Sequence, residues 1–149
     1  MDTSQPAAIH LARLVSRYVA LLQGVYFLVS GIWPLLHDAS FQAITGPKTD
    51  IWLVHTVGLF LIVVGGVLVL AALRRRIDLQ ITLLGVGSAL ALIGVELVYV
   101  FNGTISPVYL IDTTIELLFL IGWMVRQVVI DAKSHMIFFV GSLCMYSTR

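Results

Sequence analysis

Four apolar runs, each long enough to cross a bilayer, constrain this 149-residue chain more than any other feature. They cover about residues 18–36, 51–73, 79–101 and 108–125, and about 20 apolar residues at ~1.5 Å rise match a hydrocarbon thickness of ~30 Å. Hydrophobic residues make up 59% of the chain and charged ones only 11%, a balance that no soluble core can cover with polar surface. The expectation is an all-α integral membrane protein, a single four-transmembrane-helix bundle over residues 1–149. A shorter run, Met136 to Met145, cannot span; it reads as an interfacial or packed segment, or as a tail.

Basic residues in short connections are retained on the cytoplasmic side. With the N-terminus inside, Arg13, Arg17, Arg74, Arg75, Arg76, Arg126, Lys133 and Arg149 are all cytoplasmic, and only Lys48 lies outside. Both termini are therefore expected in the cytoplasm of a bacterial inner (plasma) membrane. The triple Arg reads as a topology lock before Asp78, with a lipid-headgroup site as the alternative. The first span is preceded by basic residues, as in a signal peptide, but no small-residue cleavage site follows Leu36, so it is expected to remain in the mature protein. One cysteine, Cys144, forms no intrachain disulfide and carries no redox role.

The second and fourth runs open alike: Trp52-Leu53-Val54-His55-Thr56 against Tyr109-Leu110-Ile111-Asp112-Thr113. The first and third align more loosely, Gly24-Val25-Tyr26 against Gly94-Val95-Glu96. This pattern describes two tandem helical hairpins, a parallel repeat about an axis along the membrane normal. The alternative is coincidence in an alphabet dominated by Leu, Val and Gly.

Glu96, Asp112 and Glu116 interrupt these runs where an ionised acid costs several kcal/mol, so they are expected to face a wet or paired interior and to mark function. Asp112 and Glu116 are four apart and share a helix face. Depth counting puts both near Glu96 and His55 in the outer half of the bundle, and the repeat sets Tyr26 opposite Glu96. Polar stripes complete the picture: Gln23, Tyr26, Ser30 and His37 on the first helix; His55, Gly58 and Gly65 or Gly66 on the second; Gly85, Ser88, Glu96 and Tyr99 on the third; Asp112, Glu116, Phe119 and Trp123 on the fourth. These faces are expected to enclose a small outward-opening polar chamber. The connection from His37 to Asp50 reads as a short interfacial helix capped by Asp38 and running through Ala43, then a turn at Thr45-Gly46-Pro47-Lys48, with Asp50 or Thr49 capping the next helix. It is an amphipathic connector or a lid.

The expected ligand-binding residues are Glu96, Asp112, Glu116, His55, Tyr26 and Tyr99, serving a small cationic or lipid-like ligand that is bound and, in a homodimer, transported. His55, Asp112 and Glu116 also form the one set that could hold a divalent metal, although no His-x-x-x-His or Glu-x-x-His pair is present. No other cofactor is evident. A third reading is a membrane-embedded acid/base enzyme, isomerase-like, on a lipid substrate. In size and in the character of its intramembrane acids the chain resembles the emopamil-binding and sigma-2 receptor group, compact bundles with acidic residues in a membrane cavity, some of which are sterol isomerases. The last reading is an accessory or scaffold subunit of a larger membrane complex. Nucleic-acid binding, phosphate-loop chemistry and a serine nucleophile lack their motifs.

Overall fold

The computed structural model describes residues 4–125, with side chains from Leu11 onward. It is all-helical within those residues: α1 Ser4–Leu36, α2 Asp38–Thr45, α3 Ile51–Leu73, α4 Leu79–Phe101 and α5 over 109–125. The segment Met136 to Met145, together with Arg126, Lys133, Cys144 and Arg149, lies outside the described residues. Among the described residues, three helices are long and apolar enough to cross a membrane: Leu11–Leu36 within α1, α3 and α4. The helix surfaces invert the soluble pattern. Leu22, Val29, Phe60 and Leu83 are exposed, while Ser16, Gln23, Thr82, Glu96, Thr113 and Glu116 are buried. That distribution suits a lipid solvent, which satisfies leucine but not a carboxyl, and it marks the chain as a membrane protein.

The helix bounds follow from local chemistry. α3 and α4 occupy the spans expected for them, but α1 begins at Ser4 instead of near Tyr18. Arg17 bounds the continuous apolar run without ending the helix, because its Nε donates to Ala72 O at 3.1 Å while Ala12, Ser16 and Ala20 carry the buried stripe on. Asp78 caps α4 by accepting from the Ile81 amide at 3.0 Å. Asp50 is the N-cap of α3 without a side-chain capping bond. The cap of α2 is His37, whose Nδ1 accepts from the Ser40 amide at 3.2 Å, and not Asp38; Asp38 is drawn away to α3.

Both α3 and α4 close with the same pair of backbone bonds. At the end of α3 the Arg76 amide donates to Ala71 O and the Arg75 amide to Ala72 O; at the end of α4 Thr104 donates to Tyr99 O and Gly103 to Val100 O. This Schellman arrangement requires a left-handed residue just past the helix. Gly103 supplies it at φ 69°, and Arg75 supplies it at φ 55°.

α1 is the centre of the molecule. On one side it packs against α3 through glycines: a Cβ on Gly24 would lie 2.8 Å from Gly65 O, and one on Gly58 would lie 2.8 Å from Gly31 O. The pairs are seven residues apart on each helix, the spacing of a left-handed antiparallel seam. On the other side α1 meets α4 and α5. Trp123 is buried against Ala20 and Ala72, and Ala89, Ile93 and Leu120 pack α4 on α5.

Candidate functional site

Buried positions on α5 fall at Thr113, Glu116, Leu120 and Trp123, a 3-4-3 spacing that keeps one stripe turned inward. On α4 the corresponding stripe is Thr82, Gly85, Ala89, Ile93 and Glu96. Where the two stripes meet α1, the polar residues concentrate in two linked layers.

The layer nearer the α2 end holds the acids. The Tyr26 hydroxyl of α1 donates to Asp112 Oδ1 of α5, and Ser30 lies within reach of the same phenolic oxygen. The Thr113 hydroxyl donates to Glu96 Oε2 at 2.7 Å. The Glu96 carboxyl adjoins that of Asp112 within hydrogen-bonding reach. The Tyr26 ring tilts against Phe119 at 5.8 Å and Phe27 at 6.3 Å between centroids, so one side of the acid group is aromatic.

The next layer is an amide relay. Gln23 is fully buried; its Nε2 donates to Gly85 O at 2.9 Å, and its Oε1 accepts from Trp123 Nε1 at 2.9 Å. Gly85 is needed there, since a Cβ would lie 2.8 Å from the Trp123 ring. Glu116 sits between the layers. It adjoins Asp112 and Gln23 and is fully buried, yet neither of its carboxyl oxygens has a hydrogen-bond partner among the described residues. No Lys or Arg is ion-paired with Glu96, Asp112 or Glu116 among the described residues; the ion pair present is His55 with Asp38.

Four of the six residues expected at the site therefore come together: Glu96, Asp112, Glu116 and Tyr26. His55 does not join them. Its Nε2 lies 2.8 Å from Asp38 Oδ1, tying α3 to the first turn of α2. Tyr99 is 46% exposed and turns away from Glu96; three residues apart near a helix end, the two sit on either side of the boundary between buried and outer faces. The metal set of His55, Asp112 and Glu116 is likewise not assembled, and no group of three His, Cys, Asp or Glu among the described residues could hold a metal ion. Thr113 is a member of the polar group that sequence reasoning left out, and Gln23, expected on the inward stripe of the first helix, was not counted among the binding residues. For Thr113 the signal is its place three residues before Glu116, which puts it on the same inward stripe; for Gln23 it is an amide alone in the middle of an apolar helix.

Above the acids, Lys48 in the α2–α3 connection places its Nζ 5.0 Å from the Tyr109 ring centroid while donating to Thr45 O at 3.1 Å. Tyr109 O in turn lies 3.2 Å from the Thr113 hydroxyl. The connection between the first two long helices is thus attached to the start of α5, one turn from the site. Comparison with family models, with curated proteins and with solved structures finds no match.

Proposed function

We propose that the chain is a four-span membrane protein in which α1, α3, α4 and α5 enclose an acidic site for a small cationic ligand. The observation that carries this reading is Glu116, fully buried with both oxygens unpartnered beside two further acids. Buried charge is retained only where something compensates it, and no Lys or Arg among the described residues does so. Tyr26 and Thr113 hold the Asp112 and Glu96 carboxyls in place. The rings of Tyr26 and Phe119 add the aromatic face on which an organic ammonium is favoured.

The basic residues favour cytoplasmic termini in a bacterial inner membrane, with the acid layer in the outer half. Translocation by so small a bundle would use a homodimer, with the bilayer and a second copy as its partners. The acid/base enzyme reading has less support, because His55 is engaged by Asp38 outside the acid group.

The test is thermal unfolding of the detergent-solubilised protein with a permanently charged organic cation, a neutral isostere and an anion of matched size. Stabilisation by the cation alone, reduced in Asp112→Asn, is the expected result. Equal effects of all three compounds would leave an accessory subunit as the better account.

A further inference from the structure

From the packing around Glu116 we infer that the ligand of this site is exchanged for a proton, with Glu116 as the exchanging acid. The inference rests on the cation-binding reading above. Its observation is steric and electrostatic together: Glu116 has no accessible side-chain oxygen, no hydrogen bond to either oxygen and no base paired with it among the described residues, the neighbouring Gln23 amide being directed to Gly85 O. In an apolar interior such a group is tolerated as the neutral acid, which needs no counter-charge. The same packing leaves its oxygens closed to a ligand.

The groups that face it are Asp112 on its own helix, Glu96 on α4, and Tyr26 and Gln23 on α1. None of these carries positive charge. A cation that enters between the Tyr26 and Phe119 rings gains no counter-charge from Glu116 unless the O–H bond of that acid breaks. The balanced step is the release of one proton from the Glu116 carboxylic acid to bulk water as one monocation takes its place against the carboxylate. Charge in the bundle is unchanged by the swap. Access requires Phe119 or Tyr26 to move, and both are only partly buried. The occupant is thus a monovalent, hydrophobic organic cation that competes with protons, which gives the site the chemistry of an exchanger.

Calorimetric titration of the full chain in detergent with methyltriphenylphosphonium, whose own charge does not titrate, distinguishes the possibilities. Runs in two buffers of different ionisation enthalpy should differ by the heat of about one proton per cation, and affinity should weaken about tenfold per pH unit of acidification. Binding with buffer-independent heat and pH-independent affinity would overturn the exchange and leave the binding reading standing. No binding at any pH would overturn both. In Glu116→Gln the remaining binding should release no proton. If that variant does not bind or fold, Glu116→Asp, which restores an acid, should recover binding with release; binding without release in Glu116→Asp, or unchanged release in Glu116→Gln, would remove Glu116 from the role.

Discussion

Gly31 of α1 and Gly58 of α3 meet backbone to backbone, so that a Cβ on either would run into the carbonyl oxygen of the other. Gly24 and Gly65 repeat the meeting about two turns away. Close approach of this kind is how helices associate where lipid removes the hydrophobic drive between them. Gly31→Ala and Gly58→Ala are each expected to destabilise the protein by about 1–3 kcal/mol through overpacking. Gly66 and Gly87 have open space where a Cβ would go; alanine there should be neutral or stabilising by up to about 1 kcal/mol. Thermal unfolding in detergent of the four variants checks the contrast, and equal effects at all four positions would remove the seam as the cause.

The amide of Gln23 joins three helices by receiving the Trp123 indole N–H and giving its own to Gly85 O. Gln23→Leu and Trp123→Phe should each lose stability. Because both remove the same bond, the double variant should cost less than the sum of the two, with a coupling of about 0.6–2 kcal/mol. Unfolding of the two single variants and the double variant in one detergent measures it; strict additivity would mean that the indole and the amide act separately.

The long elements were legible because lipid imposes length and polarity on each span: the bounds of α3 and α4 can be read from hydropathy alone. The grouping of Glu96, Asp112 and Glu116 was legible for the same reason, since acids in apolar runs are expected to turn inward. What sequence could not resolve is the choice among short-range partners. The expected repeat sets His55 at the depth of Asp112, but the structure places its Nε2 2.8 Å from Asp38 Oδ1 of α2. That contact is a property of the connection, and spacing along α3 carries no trace of it. Tyr99 failed on angle instead of depth, because three residues from Glu96 at a helix end suffice to leave the inward stripe.

The left-handed conformation of Arg75 at the end of α3 is one that a glycine adopts without strain, as Gly103 does at the end of α4. A left-handed non-glycine residue costs roughly 1–2 kcal/mol in steric terms. Arg75→Gly should therefore raise stability by about 1 kcal/mol, offset in part by the greater freedom of glycine in the unfolded chain. Arg74 and Arg76 stay in place, so topology mapping with reporters at the termini should be unchanged. Arg75→Ala retains the Cβ and is expected to give no such gain. An equal rise in both variants would point to relief of charge crowding in the Arg cluster instead of backbone strain.

Asp38 and His55 connect the first turn of α2 to α3 at a place where both side chains are partly open to solvent, 42% and 34% exposed. Where the imidazole is protonated this is an ion pair, and one so placed is screened and contributes less than about 1 kcal/mol to global stability. Its effect should be local. α2 is an eight-residue helix, too short to be stable alone, and its other attachments include the Trp33 indole donating to Ser40 Oγ at 2.8 Å, the Phe41 ring set edge-on to Trp33 at 5.6 Å, and the Lys48 contact with Tyr109. Asp38→Asn weakens one of these attachments, so hydrogen exchange of the α2 amides should accelerate while that of α1 and α3 stays the same. High ionic strength should move the wild type in the same direction, and it should have little further effect on Asp38→Asn. If α2 exchange is unchanged in the variant, the helix is held by its other attachments. If exchange rises across α1 and α3 as well, the pair supports the whole bundle and the local account fails.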